Sequence, residues 1–571
     1  MESRLEFAIW MGELMALGES TTGDAHRPSA ERAVEIARAV IASSHPDGAK
    51  AALLFSASSI VINSGAHLND AESVKSGKLL AEKALAMTSE DQPLHYQCRY
   101  NIANAISSLC DQDLPKIESG TNRIDWEPDL IVSRVKNQAD LKEVRREFFQ
   151  IGLSSVADSH TRSAAYCNLG NVLDHAGRWA EAYDFYLRAL EIDPRNGNAA
   201  GNLAQLLYMR IDTGIGQTGH IAAVYDKYVT LAHELRAGTL KFADTKVAER
   251  WDRLTPTESQ GHLAHGLAPE AEDYEYRQWV ANLRLALSPA VEGLGTDELR
   301  WDSATIEVLY GETLDEMSPP ILGAMNVLKS DFLVSRRLAF DAISQLTDDL
   351  AQTDDDSGSY VETLDYSLYG IQYSKLLLAQ RSALDVLDKT AVVANEHFKA
   401  GDVPSKVSFR NFWTEKIGEL REPLVKGAGR SLPNLALAEL ANDMAKDGMY
   451  ATSQALRNAG THRIVHAALL ATTGVTQDSR SKIDLMELIE STVLALQVTR
   501  SAYLYLIDLI AMWNHPDDHQ GNYLPFPDVR YFNDPTADQH IDLDDGQEPQ
   551  NDCAPHSLHG QILPGDLREE R

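Results

Sequence analysis

The stretch "SAAYCNLGNVLDHAGRWAEAYDFYLRALEIDP", residues 163 to 194, decides how this chain is read. Tyr166, Leu169, Gly170 and Leu173 recur at one-, three- and four-residue spacing and mark one face of a helix. Gly177 supplies a turn. Ala182, Tyr186 and Ala189 mark a second helix, and Pro194 ends it. The small residues Gly170 and Ala182 let two antiparallel helices approach closely, and the large ones fill the space between them. The string "NLGNVL" at Asn168 returns as "NLAQLL" at Asn202, 34 residues on, and "NIANAI" begins at Asn101.

This period and these landmarks resemble the tetratricopeptide repeat. The pattern is nearly complete over residues 163 to 210 and recurs around 71 to 110, where "AEKALAM" precedes "NIANAI". Amphipathic helices from Ala30 to Ala66 and from Leu141 to Val156 lack the landmarks. They are expected to extend the stack, because one repeat cannot bury its own faces. Asn101, Asn168 and Asn202 occupy one repeat position. The resemblance places that position on a concave surface, where a carboxamide can bond to a peptide backbone, so these three are the candidate peptide-binding residues. The alternative is that asparagine suits this helix face and bonds to water or to the next repeat.

Composition narrows the functional classes. Of 571 residues, 84 are Asp or Glu and 52 are Lys or Arg, a formal charge of -32 that repels nucleic acid at long range. A nucleic-acid role therefore needs a local basic site. Cys98, Cys110, Cys167 and Cys553 lie too far apart for zinc spacing or a dense disulfide framework, which points to a reducing, cytoplasmic home. The N-terminal "MESRLEFAIWMGELM" carries acids through its apolar run, unlike a signal peptide. Ser501 to Trp513 is too short to span a bilayer and is interrupted by Asp508, so no membrane span is expected. The cluster "WNHPDDHQGN", with His515, Asp517, Asp518 and His519, reads as a solvated turn. No metal and no cofactor is expected.

Beyond the repeats, helices are expected after Pro320, from Tyr360 to Lys399, from Leu435 to Asp447, from Tyr450 to Leu470 and from Ile483 to Trp513. In the second of these, Leu384, Leu387, Ala391, Ala394 and Phe398 form one apolar stripe, and Gly401 closes it. From Asp534 the chain turns to Asp, Gln, Pro and His, a composition that disorder favours. No strand-rich segment stands out. The expected fold class is all-α: a helical solenoid over residues 1–270, a helical bundle over 273–526 and an acidic disordered tail over 534–571.

One segment of the bundle carries chemistry. In "QALRNAGTHRIVH", residues 454 to 466, apolar positions surround Arg457, Asn458 and His462. On a helix these three project at about 0°, 100° and 140°, so Asn458 and His462 are neighbours and the long Arg457 side chain reaches the same region. A histidine can take a proton from a ribose hydroxyl or give one to a leaving oxygen. An arginine fork can hold a phosphate and stabilise a pentacoordinate phosphorus. Arg463 and His466 are secondary candidates, respectively for phosphate contact and for bonding that supports the site, with an ordinary helix-surface role as the favoured alternative. A second Arg-to-His spacing, Arg38 to His45, reads as accidental.

"LRNAGTHR" resembles the signature of the HEPN superfamily, the higher-eukaryote and prokaryote nucleotide-binding domains. "YRQWVANLRLALSP", "LAQRSALDVLDKTAVVANEHF", "VSFRNFW" and "VTRSAYLYL" resemble one bacterial branch that joins a helical N-terminal region to a C-terminal HEPN domain. Thr461 stands where that branch often has an acid. The resemblance implies a metal-independent endoribonuclease that leaves a 2′,3′-cyclic phosphate and a 5′-hydroxyl. Its active site is shared across a homodimer of the bundle, with His462 as acid or base, Arg457 holding phosphate and Asn458 orienting its neighbours. The repeats then sense or restrain, in stress response or antiviral defence. The contrasting reading is a noncatalytic adaptor whose repeats bind a protein and whose bundle dimerises or binds nucleotide.

Overall fold

The computed structural model describes residues 2–19, 25–112, 123–213, 218–243, 245–257, 272–289, 292, 294, 301–306, 308–310, 319–348, 360–361, 367–416, 419–421, 424, 432–462, 464–468, 480–513 and 523–525. The expected disordered tail after Asp534, the acidic run Asp354 to Asp356 and the His515–His519 loop lie outside them.

Glycines set the spacing of the repeat helices. A Cβ on Gly170 would lie 2.4 Å from the ring of Tyr186, and one on Gly152 would lie 2.3 Å from the ring of Tyr166. Each tyrosine therefore packs flat against the bare backbone of the preceding helix. The helices so stacked are α1 (Glu2–Glu19), α2 (His26–Ala42), α3 (Asp47–His67), α4 (Ala71–Leu85), α5 (Pro93–Asp111), α6 (Arg123–Lys136), α7 (Gln138–Leu153), α8 (Ser159–Asp174), α9 (Trp179–Ile192) and α10 (Gly197–Thr213). Asp70 and Asp158 cap α4 and α8 by accepting backbone N–H bonds in the first turn. Gly177 makes the α8–α9 turn at a φ of +75°, a conformation costly for any residue with a Cβ. The array continues through α11 (Thr218–Glu234), α12 (Arg236–Phe242) and α13 (Thr245–Asp252).

The C-terminal half contains α14 (Tyr274–Asn282), α15 (Pro320–Asp348), α16 (Ile371–His397), α17 (Phe409–Phe412), α18 (Leu432–Asp443), α19 (Ala451–His462) and α20 (Leu485–Trp513). Leu384, Leu387, Ala391 and Ala394 are buried along α16, as their spacing requires. Helices α15, α16 and α20 pack on one another, and α18 lies against α20. By length and composition alone α3 and α20 could cross a membrane. Most of α20 is instead buried inside the bundle.

One expectation is corrected. The helix expected from Tyr450 to Leu470 stops at His462, and β5 (Ile464–Ala468) follows. The β-branched pair Ile464 and Val465 suits a strand. This strand pairs in parallel with β6 (Arg480–Asp484) and antiparallel with β2 (Ser367–Leu368). No strand-rich segment was expected, and the further strands are two small antiparallel pairs, β1 (Val308–Tyr310) with β7 (Tyr523–Pro525) and β3 (Thr414–Lys416) with β4 (Glu419–Leu420). These elements are short, and the fold remains all-α.

A buried ionic cluster joins repeats to bundle. Helix α18 carries Glu439 and Asp443 one turn apart. Arg134 of α6 donates to Glu439 at 2.9 Å and 3.0 Å. Arg145 of α7 donates to Glu439 at 2.7 Å and to both oxygens of Asp443 at 2.8 Å and 2.9 Å. Arg178, just before α9, reaches Asp443 and also Glu181, which accepts bonds from Tyr450 and Tyr505. Three cations thus meet three carboxylates, all buried. Burial alone would raise the Glu439 pKa, but Arg134 and Arg145 outweigh it and hold the group below its ordinary 4.5. Further along, Arg210 pairs with Asp508 at 2.7 Å, and Arg500 pairs with Asp184 at 2.8 Å. One hydrophobic core, containing Phe148, Tyr186, Leu387 and Tyr505, runs through both halves.

Candidate active site

A tight corner launches the helix that carries Arg457. Asp447 has a φ of 65°, and a Cβ on Gly448 would lie 2.3 Å from the Asp443 carbonyl oxygen. The backbone N–H of Tyr450 donates to that same carbonyl at 2.9 Å. Helix α19 then begins, with Ser453 and Leu456 buried on one face. Gln380 of α16 donates to the Ser453 carbonyl at 2.9 Å and fixes the helix from the side.

Arg457 leaves this helix toward α16. Its guanidinium donates to Asp385 Oδ1 at 3.1 Å and 2.6 Å and to Asp388 Oδ2 at 2.8 Å. Partial burial alone would ease loss of its proton, but Asp388 and Asp385 outweigh burial and raise its pKa. The side chain keeps 21% of its exposure. Arg457 lines a cleft of about 200 Å³ together with Leu384, Leu387, Asp388, Ser408, Phe409, Arg410, Asn411 and Met444. The "VSFRNFW" segment forms its far wall. Phe409, Phe412 and Trp413 are buried there, and the Phe409 N–H donates to Asp388 Oδ1 at 2.8 Å.

The backbone of α19 carries Asn458 and His462 with Arg457 on one helix, as the spacing predicts. The side chains of Asn458 and His462, and all of Arg463, lie outside the described residues. His466 lies on β5, not on a helix, with its ring edge-on to Tyr369 at 5.5 Å. Arg336 of α15 is buried and paired with Asp302 at 2.8 Å. Among the described residues no group of His, Cys, Asp and Glu could hold a metal ion.

The repeat asparagines form a ladder. Asn101 donates to Ser58 Oγ at 2.8 Å and Ser59 Oγ at 2.7 Å. Asn168 donates to Tyr100 Oη at 2.9 Å and Asn104 Oδ1 at 2.8 Å. Asn202 donates to Asn171 Oδ1 at 2.7 Å. Each amide nitrogen is thus committed to an earlier helix of the array. Asn101 is buried, so a peptide contact would fall to the half-buried Asn168 and Asn202.

Sequence reasoning missed the acids that hold Arg457 and the cleft residues Arg410 and Asn411. The only signal for the acids was Asp385 and Asp388, three residues apart beside the apolar stripe of α16. For Arg410 it was a charge set among the buried aromatics of "VSFRNFW".

Comparison with family models places a match to the LA2681-like HEPN family at residues 313–512, which contain α15 through α20 and Arg457. A tetratricopeptide repeat model matches residues 163–196. Comparison with curated proteins and with solved structures returned no match.

Proposed function

We propose that this chain, a tetratricopeptide region followed by a HEPN domain, is a metal-independent endoribonuclease. The observation that carries this reading is the placement of Arg457. It sits in the HEPN-matched region, five residues before His462 on one helix, and it lines a cleft. In the proposed reaction a ribose 2′-oxygen attacks the adjacent phosphorus and the bond to the 5′-oxygen breaks. The 2′-hydroxyl proton goes to a base and the departing 5′-oxygen receives one. This leaves a 2′,3′-cyclic phosphate and a 5′-hydroxyl. His462 moves protons. Arg457 meets the charge that gathers on the phosphorane. Asn458 orients its neighbours. A homodimer through the bundle brings two such helices face to face, and the repeats sense or restrain in stress response or defence.

A second reading is a noncatalytic adaptor. It is favoured by the two aspartates that already satisfy Arg457. RNA cleavage in EDTA separates the two: cleavage by wild type and none by a folded His462→Ala protein supports the nuclease. Equal cleavage by both proteins, or none by either, rejects it. Light scattering gives an independent arm, since a strict monomer with and without RNA contradicts a shared site.

A further inference from the structure

The Arg457 cleft does not end at α17. A larger groove of about 780 Å³ opens from it and shares Arg410 and Met444 with it. One wall is α7 of the repeat array, with Arg146, its partner Glu147, Phe149, Gln150 and Leu153. The other is the α18–α19 corner, with Lys446, Met449 and Thr452. Arg410 therefore stands at the junction of cleft and groove. It projects from a one-turn helix pinned by buried aromatics on both sides.

The charges in this path are not alike. Arg457 is held by two aspartates, and Arg146 donates to Glu147 and to the Asp447 carbonyl. Among the described residues, neither the Arg410 nor the Lys446 side chain makes an ion pair or hydrogen bond, and both are exposed. In a chain with 84 acids, two unpaired cations facing one groove mark a place where an anionic ligand supplies the missing partner. An extended strand with regularly spaced phosphates fits a long groove that leads away from a phosphate-binding arginine. Leu153 gives the groove an exposed apolar patch, with Phe149 and Met449 buried beneath its surface.

We propose that single-stranded RNA runs along this groove, with Arg410 and Lys446 each holding a backbone phosphate beside the scissile one and the repeat helix α7 forming one bank. The proposal rests on the nuclease reading for the position of the scissile phosphate. It makes the repeat region part of the substrate site.

The test uses the full chain in a His462→Ala background, so that RNA stays intact, with a fluorescent single-stranded RNA and anisotropy readout in EDTA. Arg410→Ala weakens binding about tenfold, the effect of one lost charge-assisted bond. It also makes the slope of log affinity against log salt shallower by about 0.7. Lys446→Ala does the same, Arg410→Lys restores most of the affinity, and Arg236→Ala, a surface pair in the repeats, changes nothing. In otherwise wild-type protein, Arg410→Ala raises KM and leaves kcat. Unchanged affinity and salt slope in a background that binds RNA overturns the groove and leaves the nuclease reading intact. No binding by the background and no cleavage by wild type overturns both.

Discussion

Asp388 grips Arg457 at 2.8 Å with one carboxylate oxygen and holds the backbone N–H of Phe409 at 2.8 Å with the other. A single carboxylate thus restrains the candidate phosphate-holding arginine and anchors the loop that forms the opposite wall of its cleft. Asp385 shares the first task and has no part in the second. The two aspartates should therefore respond differently to substitution.

Asp385→Asn frees part of the Arg457 guanidinium while the cleft keeps its shape. RNA cleavage rises by up to about fivefold, the effect of loosening one exposed pair. Asp388→Ala releases the same guanidinium but also the Phe409 loop, so cleavage falls. Initial rates on one RNA, with thermal unfolding on the same samples, check both. A fall in both variants would mean that Arg457 needs its acids for position.

Arg457→Ala and His462→Ala each remove cleavage. Loss of a charge-stabilising donor lowers the rate roughly 10²- to 10³-fold, and loss of acid–base assistance roughly 10²- to 10⁴-fold. Asn458→Ala is milder, and Arg38→Ala leaves the rate unchanged. Single-turnover rates at saturating protein measure each. A structural role for the trio gives the opposite pattern, with lowered melting temperatures and no wild-type activity to lose.

Arg145→Ala leaves Glu439 and Asp443 short of the cation that bridges them in a fully buried site. Breaking one partner out of such a cluster costs about 3–5 kcal/mol. Arg145→Lys recovers only part of this, because an ammonium cannot make the two-oxygen fork to Asp443 and reach Glu439 as well. Denaturant titration of the three proteins reads the effect directly.

Acid destabilises the fold in two stages. Burial lowers the His397 pKa to about 4, from an ordinary 6.5. As pH falls below about 6.5, the unfolded chain takes up a proton that the folded chain refuses, so stability declines toward pH 4. Glu439, held below its ordinary 4.5 by Arg134 and Arg145, adds stability that is complete above that value and is lost as pH falls below it. The unfolding midpoint therefore begins to drop below about pH 6.5, and Glu439 adds to the fall below about pH 4.5. His397→Gln removes the first stage and leaves the second.

The repeat was legible because its determinants are local. Gly170 and Tyr186, or Gly177 and Pro194, act within one hairpin, so spacing alone carries them. The stripe of α16 was legible for the same reason. The strand at Ile464 was not, because its apolar pattern continues that of the helix before it. What separates the two is pairing with Arg480–Asp484 and Ser367–Leu368, which no local window contains. The ionic cluster was equally hidden. Arg134 and Glu439 lie 305 residues apart, and nothing near either residue announces the other. At the candidate site the proposed trio Arg457, Asn458 and His462 comes from one short motif. Arg410 and Asn411 could not, since only the placement of α17 against α16 brings them there.

The grip of Arg134, Arg145 and Arg178 on α18 has a mechanical consequence. The same Asp443 that receives two of these arginines lends its carbonyl to Tyr450, the residue just before α19. Any rearrangement that tilts α6, α7 and α9 must drag α18 with them, and eight residues later it tilts the helix that carries Arg457. The repeats and the helix that carries Arg457 are thus coupled through Asp443, as two arms are through a fulcrum. A bend in the array is therefore expected to be felt at the cleft, far from where the bend begins.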